Sequence, residues 1–497
     1  MEYIFSIFTI TNICMSFLGT VIGIIFGALP GLTATMGVAV FLPFTFGMES
    51  VTAFAFLLGI YCGGVFGGSI TAILIKTPGT AASAATVLDG YPMAQNGHGY
   101  RALSIAAIAS FIGGIFSCLI LILFAPVLAK FALEFGAPEY FAVGIFGMSI
   151  VSSISSKSVL KGIFMACLGL MVGMIGMDPI DGTARFTFGS VDASAGVNLV
   201  AALVGLFGLS EVLTKLEGGA AGFRVDQNIH VKREKLDLSL YLKNWWCVLR
   251  SAVIGTIVGI IPATGPGIAS WLSYNEARRG SKHPEKLGTG VDEGIIASET
   301  ANNAVTGGAL IPLLTLGIPG DPVTAVLMGA LLMQGLPTGA ALFTQNADVA
   351  TGIYVMLFIA NIFMLLCGLL LINVFVKVLK VPTSVLMPCV MVFTLLGSYC
   401  IRGNVFDVKV ALVLGVAAYL LEKAEYPIPP MLLGLVLGSM IESNFRRSLL
   451  LSKGSCMIFF TRPICVVLLA IAVFTFLFPF IRKWIASAKK RRASETK

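Results

Sequence analysis

Charge is scarce in this sequence: Asp, Glu, Lys and Arg make up 12% of its 497 residues, roughly half the share of an ordinary soluble domain. A soluble enzyme of this length is excluded on that ground. Histidine is scarcer still, and His98, His230 and His283 stand far apart in loop-like sequence. There is accordingly no HExxH metal motif and no visible Ser-His-Asp arrangement, and no GxxxxGK[ST] run is present to hold ATP. Any work the chain performs must draw on something other than nucleotide hydrolysis. The ten cysteines are scattered, mostly through apolar segments, with no CxxC pair. They read as small buried hydrophobes, which leaves no disulfide framework and no metal centre. The net charge of +8 is no signal for nucleic acid, because the basic residues sit in short connections and at the tail.

What the chain has in quantity is apolar surface: 57% hydrophobic residues and a mean hydropathy of +0.93. Runs long enough to cross a bilayer, about 20 residues each, cover 105–128, 197–213, 352–376, 408–421 with its continuation, and 464–481. An all-α polytopic membrane protein with roughly ten to twelve crossings is expected. The run at 3–26 lacks a basic flank and a small-residue cleavage site, so it reads as a retained first helix. Arg482, Lys483, Lys489, Lys490, Arg491, Arg492 and Lys497 follow the last apolar run, and the polar stretch 215–250 carries Arg224, Lys232, Arg233, Lys235 and Lys243. The positive-inside rule places both in the cytoplasm. The organisation read from this is a first membrane repeat at 1–218, a central cytoplasmic connection at 219–250 and a second repeat at 251–450. A final transmembrane helix at 451–486 and a basic cytoplasmic tail at 487–497 complete it.

The repeat shows in the breaks. Pro30-Gly31 and Pro78-Gly79 interrupt apolar runs, and comparable interruptions return at Pro262 to Gly267 and at Pro319-Gly320. Pro30 to Pro262 is an offset of 232, Gly67-Gly68 to Gly307-Gly308 is 240, and Pro78-Gly79 to Pro319-Gly320 is 241. The change of offset falls where the short connection Gly47-Met48-Glu49-Ser50 of the first half is replaced by the longer polar loop 275–292 of the second. Irregular backbone at membrane depth is tolerated only where it is buried in protein or lines a cavity, and broken helices at matching places in two halves mark a transporter's substrate site. The halves are expected to be inverted, with the site at their interface.

These residues also carry a resemblance. Gly27-Ala28-Leu29-Pro30-Gly31-Leu32-Thr33, the stretch from Tyr61 to Leu74, Thr77-Pro78-Gly79-Thr80 and Leu88-Asp89-Gly90-Tyr91-Pro92 resemble the large membrane subunit of the tripartite tricarboxylate transporters. So do Ser298-Glu299-Thr300-Ala301-Asn302-Asn303-Ala304 and Gly307 to Gly320. The family commonly has a neutral polar residue such as Asn where this chain has Lys76, and the second-half Pro-Gly is replaced here by Pro262-Ala263-Thr264-Gly265-Pro266-Gly267. The resemblance implies a bacterial inner-membrane permease. It would take a carboxylate from a periplasmic solute-binding protein, work with a small membrane subunit, and be driven by a proton or sodium gradient. A passive anion channel or a stand-alone organic-anion carrier is the alternative.

Physical chemistry points the same way. A broken helix leaves unsatisfied N–H groups and a positive dipole end at the start of its second piece, which favours a carboxylate. Pro30, Gly31, Thr33, Thr35, Lys76, Thr77, Pro78, Gly79, Thr80, Thr264, Gly265, Pro319 and Gly320 are the expected substrate-binding residues. The glycines would permit close backbone approach, and the hydroxyls, with Ser83, Thr86, Ser270 and Thr324 beside them, would donate hydrogen bonds. Two readings stand for Lys76: its ammonium pairs with a substrate carboxylate, or it snorkels to the membrane edge or pairs with Asp89. Glu299, Asn302, Asn303 and Asp321 are the expected ion-coupling residues, an oxygen-rich group suited to sodium or a titrating proton. Against that stand an ion pair of Glu299 with Arg278, Arg279 or Lys282, and a simple helix cap for Asp321. No cofactor and no metal other than a coupling sodium is expected.

Overall fold

In the computed structural model the described residues are 6–477 except 30, 155–157, 179, 218–232, 235–236, 263 and 379–382. Pro30, the basic tail and most of the central connection therefore lie outside the described residues. Most of the described residues are helical, and the strands among them form a two-stranded antiparallel hairpin, β1 (Gly176–Met177) with β2 (Ala184–Arg185). The helices that place the site are α1 (Ile10–Ala28), α2 (Ala34–Phe41), α3 (Ser50–Ile75), α4 (Val87–Met93), α5 (Gly99–Ala132), α6 (Ala137–Ile154), α7 (Val159–Gly173) and α8 (Leu199–Glu217, π-helical over Val204–Leu209). They continue with α9 (Trp245–Ile260), α10 (Gly265–Gly280), α11 (Asp292–Leu316), α12 (Pro322–Met333) and α13 (Ala347–Leu370). The last are α14 (Thr383–Cys400), α15 (Val405–Lys423), α16 (Ile428–Leu451) and α17 (Pro463–Leu477). Six of these stretches are long and apolar enough to cross a membrane by themselves, and six shorter apolar helices accompany them. The protein is thus an all-α polytopic membrane protein.

Small residues, rather than large apolar ones, decide how the central helices pack. Lipid tails are as apolar as leucine, so helices in a bilayer gain by bringing backbones into close contact, which glycine allows. On α1, Gly23 and Gly27 lie against the backbone of Ile60 and Gly64 on α3, and Gly67 of α3 lies against the carbonyl of Ile24. The second half repeats this arrangement contact for contact. Gly255 and Gly259 of α9 lie against the carbonyls of Ala301 and Val305 on α11, and Gly308 lies against that of Thr256. Every partner is displaced by 232 residues on the first helix and 241 on the second, the two offsets read from the breaks.

The described chain forms two compact units, and neither coincides with one half. The larger takes the residues up to Leu133 together with Val200–Tyr419; the smaller takes Glu134–Leu199 together with the residues from Leu420 onward. In the larger unit α8, the last helix of the first half, packs on α14 and α15 of the second, with Gly205 against the carbonyl of Ala411 and Gly415 against Leu209. In the smaller unit α16, from the second half, packs on α6 and α7 of the first, with Gly434 against the carbonyl of Ala166 and Gly169 against that of Met431. In each unit a helix pair from one half is completed by the last helix of the other.

Candidate functional site

Each interruption closes one helix and opens another within a few residues. α1 ends at Ala28, and α2 resumes at Ala34 behind Thr33, whose hydroxyl accepts the Met36 amide at 3.1 Å. α3 closes on Lys76 in the left-handed region, φ 60°, and a 3-10 turn over Ala81–Ser83 follows Thr80. α9 ends at Ile260 and α10 opens at Gly265 with no side chain capping its first turn. α11 closes on Gly317, φ 72°, and α12 opens behind Asp321, whose carboxylate accepts the Thr324 amide at 2.7 Å and whose own amide donates in return to the Thr324 hydroxyl at 2.9 Å.

Residues from all four interruptions line one cavity of about 610 Å³ in the larger unit. Thr33 and Thr35 come from the first, Thr80 to Ala82 and Ala84 from the second, Thr264 and Gly265 from the third, and Asp321 to Val323 from the fourth. Ile268, Trp271, Leu272 and Asn275 extend the wall along one face of α10. Asp321 is the one charged side chain among the described lining residues, which include no cation to meet a carboxylate. An anion in this cavity would have to be held by other means. The uncapped first turn of α10 and the start of α2 supply backbone amides and positive dipole ends. Thr80 supplies a buried hydroxyl that has no partner among the described residues. The start of α12 is already satisfied by Asp321, whose second oxygen accepts the Tyr61 hydroxyl at 2.6 Å; the capping alternative for Asp321 is realised.

Of the expected substrate residues, Thr33, Thr35, Thr80, Thr264 and Gly265 therefore reach the cavity, while Pro30 lies outside the described residues. Lys76, Thr77, Pro78, Gly79, Pro319, Gly320 and Gly31 do not line it. Gly79 and Gly320 serve close packing instead. A Cβ on Gly79 would overlap the carbonyl oxygen of Gly27, and one on Gly320 that of Gly259. Gly31 lies against the side chain of Lys215. Lys76 is exposed, with its ammonium 5.6 Å from the centre of the Tyr91 ring. It makes no pair with Asp89, which instead accepts the Tyr274 hydroxyl at 2.8 Å and the amides of Gly288, Gly290 and Val291 at 2.9 Å each, pinning the loop before α11.

Glu299 is fully buried on α11, and its neighbours are hydroxyls and amides rather than Arg278, Arg279 or Lys282. Its carboxylate accepts the Thr86 hydroxyl and, at 3.1 Å, that of Ser110. Thr86 also meets Ser298 at 2.9 Å. The Asn303 amide donates to Ser110 at 2.8 Å and to the Asn302 oxygen at 2.6 Å, while its own oxygen has no partner among the described residues. Asn302 donates to the Ala82 carbonyl at 3.2 Å. The stretch from Thr80 to Thr86 thus forms cavity wall at one end and holds Glu299 at the other. Tyr61 and Asn302 are themselves separated by the repeat offset of 241, and each reaches across to the segment behind the other half's second interruption.

Sequence reasoning passed over Tyr61, Ser110, Trp271 and Asn275. The signal for the last two was present, because 264, 268, 271 and 275 continue one helical face from the third break. Tyr61 and Ser110 carried none, since a single hydroxyl in an apolar helix is common.

Known proteins bear on this geometry. The sequence matches the model of the Tripartite tricarboxylate transporter TctA family over residues 13–433. It is 40% identical over 468 residues to an uncharacterized 52.8 kDa protein in the TAR-I ttuC' 3'region of Agrobacterium vitis, covering 94% of this chain and 92% of that one. It is 37% identical over 231 residues to an uncharacterized protein in the TAR-II ttuC' 3'region of the same organism, covering 46% of this chain and 96% of that one. No solved structure matches.

Proposed function

The chain belongs to the tripartite tricarboxylate transporter TctA family, and from that premise we propose that it is the permease through which an organic carboxylate enters the cell. One observation supports this above the rest: four helix interruptions, two from each half, meet at a single cavity. The substrate carboxylate lies there against the open first turn of α10 and the hydroxyls of Thr33, Thr35 and Thr80, with Thr264 forming wall beside them. A secreted solute-binding protein delivers it and a small membrane subunit accompanies the permease in the bacterial inner membrane, with the C-terminus cytoplasmic and the two halves inverted.

Uptake is driven by a cation. A carboxylate buried among neutral groups is costly unless it is neutralised, and Glu299 is neutralised by a proton or by sodium. The Glu299 and Asn302 side-chain oxygens, the free Asn303 oxygen and Ser110 supply the oxygen ligands sodium prefers. Occupancy then fixes Thr86 and Asn302, and through them the cavity wall from Thr80 to Ala84.

The test is accumulation of labelled citrate and of shorter dicarboxylates in proteoliposomes holding this chain and its small subunit, with binding protein outside and an imposed sodium or proton gradient. Uphill accumulation that collapses when both gradients are dissipated is the expected result. Downhill equilibration alone, indifferent to both gradients, would make the protein a channel.

A further inference from the structure

α9 and α10 form a hairpin whose two outer ends meet. The guanidinium of Arg250, near the start of α9, lies against Gly280 at the end of α10. A second hollow of about 410 Å³ opens beside this junction, and Lys243, Arg250, Lys282 and Lys286 line it. The acid among its lining residues is Glu293, which accepts the Ser281 hydroxyl at 2.7 Å. Ion pairs nearby are made by other residues: Arg101 with Asp292, Arg279 with Glu276, His283 with Glu285. The four cations of the hollow take part in none of these.

The surroundings say what kind of anion fits. Trp246 lines the hollow, and its neighbour Trp245 is equally exposed, as tryptophans are at the level of lipid headgroups. From Trp246 an exposed apolar stripe, Leu249, Val253, Ile257 and Ile260, climbs α9 at helical spacing. Cations below and a continuous apolar track above match a molecule with an anionic head and a hydrocarbon tail. Basic hollows between membrane helices bind such headgroups. We propose that this hollow is a binding site for an anionic phospholipid, with the phosphate among Lys243, Arg250, Lys282 and Lys286 and an acyl chain along the stripe on α9.

The full chain carrying Trp271→Phe and Trp484→Phe, so that Trp245 and Trp246 report, is reconstituted in phosphatidylcholine vesicles. Acyl-brominated phosphatidylglycerol or acyl-brominated phosphatidylcholine is then titrated in and tryptophan quenching is read. Phosphatidylglycerol is expected to bind about tenfold more tightly, because its net negative charge meets the basic residues of the hollow and the zwitterionic headgroup of phosphatidylcholine does not. Lys282→Gln with Lys286→Gln should abolish the preference, Lys282→Arg with Lys286→Arg should keep it, and Arg278→Gln with Arg279→Gln, equal in charge but outside the hollow, should also keep it. Equal quenching by the two lipids, or equal loss in both glutamine pairs, would overturn the site. Displacement of the brominated lipid by inorganic phosphate, matched for ionic strength with chloride, would overturn the lipid assignment in favour of a free anion.

Discussion

At the scale of single residues, two side chains carry tests of the proposed mechanism. Glu299 is buried against Thr86 and Ser110 with no cation beside it among the described residues. Glu299→Gln is expected to cut the initial uptake rate on the order of tenfold and to flatten its dependence on sodium at fixed pH and on pH at fixed sodium. A uniform fall in rate with both dependences intact would remove Glu299 from the coupling role. Lys76 stands at the position equivalent to Gly317 by the 241 offset, and both residues close a long helix in the left-handed region. There a side chain costs about 1–2 kcal/mol that glycine escapes. Lys76→Gly should therefore raise the unfolding temperature of the purified protein and, since Lys76 lies outside the cavity, leave the half-saturating carboxylate concentration unchanged. A large rise in that concentration would return the lysine to the substrate.

At the scale of elements, the two halves predict each other's mutational response. Gly79→Ala and Gly320→Ala each push a methyl group into the carbonyl of the opposing helix, at Gly27 and Gly259, and each should destabilise by roughly 1–3 kcal/mol. Gly99→Ala, whose nearest neighbour would be 3.7 Å away, should not; thermal unfolding of the three variants decides this. The loop of the β-hairpin gives a pH test. Asp178 accepts the Ile180 amide at 2.7 Å and pairs with Arg446 and Arg185. These contacts, the Ile180 amide foremost, hold its carboxyl down to about 2. A depressed carboxylate contributes stability above its ordinary value of about 3.9 and loses it as pH falls toward the folded value. Protection of the Ile180 and Asp181 amides, measured against the intrinsic exchange rate at each pH, should be high at pH 5, fall between pH 4 and pH 2, and be low throughout in Asp178→Asn.

The breaks, the offsets and the oxygen-rich face of α11 were legible in the sequence because glycine, proline and periodicity are local signals. Which glycines line the cavity and which serve packing was not. Gly79 and Gly265 look alike in sequence, and only the carbonyl of Gly27, distant along the chain, separates them. That the stretch from Thr80 to Thr86 joins cavity to carboxylate rests on contacts 213 and 220 residues apart along the chain, which no local signal carries.

At the scale of the whole molecule, each compact unit contains helices from both halves, so neither half has a complete set of partners. Cutting the chain within 219–231 and expressing the pieces separately should give halves that insert into the membrane but aggregate once detergent replaces the lipid, whereas co-expression should return a pair that purifies together. A monodisperse, folded half on its own would contradict the exchange of last helices. That exchange also sets a schedule for synthesis. α8 is complete roughly 170 residues before α14 begins, and at about 5–20 residues per second it waits on the order of ten to thirty seconds for the helices that will cover it. α6 and α7 wait longer for α16. The faces that stay open in the meantime, Gly205 on α8 and Gly169 on α7, present bare helical backbone with its hydrogen bonds already closed. Lipid can cover such a surface without penalty and leave it without resistance, so the first half can idle in the bilayer until the ribosome delivers the second.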